Sequence, residues 1–165
     1  LTQGDTIENF SITGNGYVGG LAGYTASNVT TGNRAINGSV KGNYTVGGLY
    51  GANYMASTAE NHQDWLIDTV EITAEAGAAG GALGSTGQSH SNNAVVRNCT
   101  IKGTTAVGGL IGYRTGNAYN STHYNTQILG CKILNEVNGR ENKNVNGDPS
   151  AMGTGGVYGL YTDSY

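Results

Sequence analysis

Apolar residues return along this chain in a five-fold frame that is neither helical nor simply alternating. Each repeat opens with a triplet spaced apolar-x-x-apolar-x-apolar: Ile7, Phe10, Ile12; Ala35, Gly38, Val40; Ile67, Val70, Ile72; Val96, Cys99, Ile101; and Ile128, Cys131, Ile133. The last two members of each triplet lie two residues apart, which puts them on one face of a strand. A glycine phrase follows: Val18-Gly19-Gly20-Leu21-Ala22-Gly23, Val46-Gly47-Gly48-Leu49-Tyr50-Gly51, Ala79-Gly80-Gly81-Ala82-Leu83-Gly84, Val107-Gly108-Gly109-Leu110-Ile111-Gly112 and Thr154-Gly155-Gly156-Val157-Tyr158-Gly159. The phrase recurs about every 30 residues with a longer last step, the signature of a stacked-repeat fold.

Within the phrase, the column Leu21, Leu49, Ala82, Leu110, Val157 is always apolar and is assigned to the core. The next column, Ala22, Tyr50, Leu83, Ile111, Tyr158, admits Tyr and is assigned to the outside or to a corner. Val18 and its equivalents have the wrong parity for one straight strand with Leu21. A bend at the glycine pair resolves this, because Gly accepts positive φ and lets backbones approach closely. Two short strands per repeat, joined at that corner and stacked at ~4.8 Å, predict an all-β, right-handed parallel β-helix of about five coils. Its repeats span 7–34, 35–66, 67–95, 96–127 and 128–165 of a single domain, with an insertion at 135–149 in the last. The polar segments 24–34, 52–65, 85–94 and 113–127 are expected to be loops projecting from one edge, the usual binding face of a repeat protein.

Composition refines this picture. Glycine (29 of 165 residues) without a collagen period can mean disorder, but the fixed apolar offsets argue for order. Net charge is −3 and the basic residues are scattered, so nucleic acid is not an expected partner. No run approaches the ~18 apolar residues of a membrane span. The start at Leu1 suits a processed protein or a piece of a longer one, and the Asn-, Ser- and Thr-rich spacers suit an extracellular setting. Six glycosylation sequons, at Asn9, Asn28, Asn37, Asn43, Asn98 and Asn120, are a mild excess over chance.

The run Val40-Lys41-Gly42-Asn43-Tyr44-Thr45-Val46-Gly47-Gly48-Leu49, with its Gly-Gly-Leu-x-Gly phrase, resembles the GLUG-motif repeat of large bacterial surface proteins. The resemblance runs from Ile7 to Gly159, with Gly81-Ala82-Leu83 a degenerate copy. It implies a β-solenoid at a cell surface and transfers no catalytic residues.

Candidate chemistry is sparse. Cys99 and Cys131 occupy one position in neighbouring repeats, where stacking brings Cα atoms within the ~4.4–6.8 Å disulfide window. A bond and a pair of buried thiols both remain open. His62 and His123 could share a face near Asp64, a two-imidazole, one-carboxylate set for zinc, but they and His90 read better as polar loop residues. Asn142, Asn144, Asn146, Gly147 and Asp148 faintly echo a calcium loop, yet Asn142 and Gly153 stand where it needs Asp and Glu. The carboxylates do not stack as in β-helix hydrolases; Glu71 is the one in mid-strand, and its equivalents are Ser11, Ser39, Thr100 and Lys132. Tyr24 and Tyr113 are expected to cover coil corners, and Tyr54, Tyr119 and Tyr124 to lie in loops. No enzyme, cofactor or metal is expected. The functional expectation is a structural subunit of an extracellular filament or surface layer, self-associating head to tail through open solenoid ends. The alternatives are a stalk or ligand-binding segment of an adhesin, with host or matrix glycans as partners, and then a carbohydrate-active enzyme.

Overall fold

The computed structural model describes residues 2–27, 29–54, 60–87, 89–115, 123–136 and 153–162. These form strands only, wound as a parallel β-solenoid. The first rung comprises β1 (Thr2–Gln3), β2 (Thr6–Thr13), β3 (Tyr17–Gly19) and β4 (Ala22–Thr25). The second comprises β5 (Val29–Thr31), β6 (Arg34–Gly42), β7 (Thr45–Gly47) and β8 (Tyr50–Asn53). The third comprises β9 (Glu60–Gln63), β10 (Leu66–Ala74), β11 (Ala78–Gly80) and β12 (Leu83–Thr86). In the fourth the long strand divides, giving β13 (Ser89–Asn92), β14 (Val95–Arg97), β15 (Thr100–Gly103), β16 (Ala106–Gly108) and β17 (Ile111–Thr115). The fifth repeats that division: β18 (His123–Tyr124), β19 (Gln127–Leu129), β20 (Lys132–Asn135), β21 (Gly153–Gly155) and β22 (Tyr158–Thr162).

Equivalent strands pair in parallel into four sheets. Sheet I runs β1-β5-β9-β13-β18. Sheet II holds the long strands, sheet III runs β3-β7-β11-β16-β21, and sheet IV runs β4-β8-β12-β17-β22. Five rungs are joined by four full advances, so the turns number about four, slightly fewer than the five coils expected.

Two columns of left-handed backbone shape every rung. One is the corner from sheet I to sheet II: Gly4, Gly32, Asp64, Asn93 and Asn125, with φ between 51° and 70°. The other interrupts the long strand at Asn9, Asn37, Thr69, Asn98 and Gly130, with φ between 52° and 61°. Gly, Asn and Asp enter this region at least cost. The second column works as a bulge, turning residues three apart back to the same face. It explains the apolar triplet: Ile7, Phe10 and Ile12 all point inward because Asn9 lies between the first two. Thr69 breaks the rule, since a β-branched residue at φ 56° is strained by on the order of 1–3 kcal/mol.

The triplets stack in register. Ile67 pairs with Ala35 and Val96, and Ile72 with Val40 and Ile101; all six are buried. Size is complementary along the ladders: the Phe10 ring fills the space a side chain at Gly38 would need.

The glycine phrase builds a tight arch between sheets III and IV. A Cβ on Gly19 would lie 2.6 Å from Gly51 N and Leu49 O, and one on Gly51 would lie 2.6 Å from Gly23 O. The first and last glycines of the phrase therefore let two sheets meet backbone to backbone, inside the ~10 Å that side chains normally enforce. The middle glycine, as in Gly48 and Gly109, sits against the glycine carbonyl of the next rung. None of these glycines has a left-handed φ, so close approach, not positive φ, makes the corner.

Two expectations are corrected here. The column Tyr50, Leu83, Ile111 is buried, not outward, because sheet IV covers a second part of the core opposite sheet I. The segments read as loops at 24–34, 52–65, 85–94 and 113–127 contain the ends of sheet IV strands and four of the five strands of sheet I, so a coil has four strands or more, not two. Variable connections remain at one corner, between sheets IV and I. The insertion begins after β20, and its residues 137–149 lie outside the described residues.

Candidate functional site

The part of the core between sheets I and IV is polar and aromatic, unlike the aliphatic ladders of sheets II and III. Sheet I contributes an inward column of Thr30, His62, Ser91 and His123, aligned by parallel pairing. Thr30 Oγ1 and His62 Nδ1 share a hydrogen bond of 2.8 Å, and Ser91 Oγ and His123 Nδ1 share one of 2.5 Å. His62 stacks on Trp65 with ring centroids 4.3 Å apart, and His123 meets Tyr158 edge-on at 5.0 Å. Asn33 Nδ2 donates to Tyr50 Oη at 2.6 Å. At the variable corner, Asn53 Nδ2 donates to the Ser27 carbonyl and Arg114 Nε to that of Gly87, so two buried polar side chains tie down the previous rung's connection.

The expected alignment of His62 and His123 is present, but not as a metal set. Ser91 separates them, their Nδ1 atoms are engaged by hydroxyls, and Asp64 is exposed at the corner, accepting from Asn93 Nδ2 at 2.9 Å. No group of three His, Cys, Asp or Glu side chains suited to a metal occurs among the described residues. Nor are His62 and His123 loop residues: both lie on strands, and His62 is fully buried. The calcium-like echo at residues 142–148 lies outside the described residues.

Burial pushes the His123 imidazole down to about 4, with Arg114, His62 and His90 adding repulsion in the same direction. The unfolded chain takes up this proton near pH 6.5. Between pH 6.5 and 4 it therefore binds more protons than the folded chain, and stability falls as the pH falls. The loss approaches about 3 kcal/mol at pH 4. Thermal melts at pH 7 and pH 4.5 should differ by several degrees, and His123→Gln should remove most of that difference. An unchanged pH dependence in the variant would show that His123 is not the group responsible.

Cys99 and Cys131 are neighbours in one column, between the register pairs Arg97–Leu129 and Thr100–Lys132. Both are free thiols. Cys99 Sγ lies 3.1 Å from the Arg97 carbonyl, and Cys131 Sγ lies 3.5 Å from those of Val96 and Leu129. Burial pushes the Cys99 thiol up to about 12, which makes it a packed apolar group, not a nucleophile.

Four of the six sequon asparagines have a structural role. Asn9, Asn37 and Asn98 occupy the bulge column; the next residue (Phe10, Gly38, Cys99) faces the core and the one after (Ser11, Ser39, Thr100) faces out. The bulge and the inward position thus account for the Asn and the residue after it, while the outward position, Ser or Thr here, is Glu71 and Lys132 in the other two rungs. Asn37 Nδ2 donates to Asn9 Oδ1 at 2.6 Å, Asn98 Nδ2 donates to Asp68 Oδ1 at 3.2 Å, and Asn43 Nδ2 donates to Asn15 Oδ1. Asn28 and Asn120 lie outside the described residues, as does Tyr119. Tyr24 and Tyr124 are exposed, Tyr54 and Tyr113 half-buried, and Tyr24 packs on Tyr17 at 5.9 Å.

On the outer face of sheet II, Arg97 clasps Asp68 through Nε and Nη2 at 2.8 and 2.7 Å. That hydrogen bonding, with help from Asn98 and Thr69, holds the Asp68 carboxyl below its ordinary range. Comparison with family models, with curated proteins and with solved structures finds no significant match.

Proposed function

We propose that this chain is a structural segment of an extracellular filament or surface layer in which solenoid ends meet head to tail. The observation that carries this reading is the state of the terminal rungs. Among the described residues, the first- and fifth-rung strands of every sheet have a partner on one side only. The ladders sealed in the inner rungs are only partly buried at Ile7, Phe10, Ile12 and Leu21 on one end and at Ile128, Ile133, Val157 and Tyr158 on the other. Such edges recruit further strands. An in-register junction also matches sizes: Tyr158 comes beside Ala22 and Tyr17 beside Gly153, large against small as Phe10 is against Gly38. The resemblance to GLUG repeats and the hydroxyl-rich outer columns agree with a surface setting.

The second reading, a stalk segment of a large adhesin, supplies the same neighbours from further coils of one chain. Light scattering and negative-stain microscopy of the 165-residue chain separate the two. Head-to-tail assembly predicts rods that lengthen with concentration. The variant Gly156→Ala should fold normally, because a Cβ there meets nothing within 4 Å, yet it should block the junction. At the equivalent Gly109 a Cβ strikes the next rung's Gly156 carbonyl, so at the junction it would strike Gly20 of the next copy. Lysines at the exposed edge positions Ser11 and Thr13 should act likewise. A monodisperse monomer at high concentration would overturn the filament reading and leave the stalk.

A further inference from the structure

The outer face of sheet II carries a groove of about 450 Å³. Short residues, Thr69 and Thr100, lie among long charged ones, Glu71, Lys102 and Lys132. Thr100 stands in register between Glu71 and Lys132, and Lys102 lies two residues further along the same outward face. Beside the groove Lys41 pairs with Glu75 at 2.6 Å and Arg97 with Asp68 at 2.7 Å, and Glu136 lines the neighbouring cleft together with Lys102. Glu71, Lys102 and Lys132 take part in no ion pair among the described residues. The groove's own charged lining, Glu71 against Lys102 and Lys132, therefore carries one net positive charge on a chain of net charge −3.

Its polar atoms are mixed in kind. The ammonium groups donate, Glu71 accepts, and Asn98, which spends its Nδ2 on Asp68, keeps a carbonyl oxygen as acceptor. Leu134, 39% exposed, supplies an apolar margin. The strained backbone of Thr69 also falls here: the bulge column is Asn or Gly in every other rung, and Thr69 lines the groove beside Asn98 of the same column. Strain retained at one position of a repeat points to a local use.

We propose that this groove binds a strand of acidic polysaccharide, Lys102 and Lys132 meeting sugar carboxylates while Glu71, Asn98 and Thr100 meet ring hydroxyls. An acidic peptide fits less well. It would leave Glu71 without hydroxyl donors, and it cannot add as a strand because β10 is already paired on both sides. The site lies on the flank of the solenoid, so it stands or falls separately from assembly at the ends.

Calorimetric titration of the full chain with oligogalacturonate, at low salt, tests it. Binding should weaken about tenfold or more in Lys102→Ala/Lys132→Ala and decline as salt is raised. The melting temperature of that double variant should be unchanged, since both side chains are at the surface. Glu71→Gln should weaken binding to a smaller extent, and Thr69→Asn should raise the melting temperature while weakening binding. No binding, or binding indifferent to the double variant, would overturn the proposal. Equal affinity for a poly-glutamate peptide would overturn the sugar assignment, leaving a purely electrostatic surface.

Discussion

Alanine at Gly80 should cost the fold several kcal/mol, the scale of severe single substitutions. The added Cβ would overlap the Leu83 carbonyl and lie 2.5 Å from Gly112 N, both main-chain atoms held in parallel ladders. Neither can yield unless sheets III and IV part, and parting them opens the core of the third and fourth rungs. A Gly-to-Ala change in an open position instead changes stability by less than about 1 kcal/mol, through the unfolded chain. Gly16→Ala, with nothing within 4 Å of its Cβ, is the matched control. Gly109→Ala and Gly156→Ala make a sharper pair, since they alter the same position of the motif and only the first meets a stacked carbonyl. Urea unfolding of the four variants measures the difference. If Gly80→Ala and Gly109→Ala lost no more than their controls, backbone contact across the arch would not be the reason for the motif.

Aspartate at Leu110 should have an effect at least as large. Leu110 is fully buried in the column of Leu49, Ala82 and Val157. Removing the leucine forfeits about 2–3 kcal/mol of burial. Its column of described residues, Leu21, Leu49, Ala82 and Val157, offers the carboxylate no cation, so it must either be desolvated unpaired or be protonated, at a further cost of several kcal/mol. The sum reaches the whole stability of a typical domain, about 5–15 kcal/mol. The expected result is a chain without cooperative thermal unfolding at neutral pH. Leu21→Asp, in the same column but only partly buried on the first rung, should fold with a lowered melting temperature. A cooperatively folded Leu110→Asp variant would remove this column from the core.

The aliphatic ladders were legible in the chain because each is a repeated column of one residue type. Ile12, Val40, Ile72, Ile101 and Ile133 need no structure to be aligned, and parallel in-register pairing follows from their recurrence. The alignment of Cys99 with Cys131, and of His62 with His123, was readable for the same reason. Sheet I was not. Its strands read Val-Thr-Thr, Glu-Asn-His-Gln, Ser-His-Ser-Asn and His-Tyr, with hydroxyls and imidazoles on the inward face where a pattern search expects aliphatic residues. Those polar groups are tolerable inside because they bond to each other along the column, a partnership that exists only once rungs are stacked.

The repeat frame, the parallel stack and the identity of the main core columns were thus set by sequence alone, since a period and a parity are properties of a single strand. Tertiary structure decided which face of sheet IV is buried, why residues three apart share a face, and what the glycines do. The first and last of these depend on a second backbone lying close by, and the other on a local backbone conformation. The bulge at Asn9 and its equivalents reverses parity through local left-handed backbone, which Asn permits but does not dictate. The arch glycines carry no signal of their purpose until the facing carbonyls occupy the space where a side chain would be.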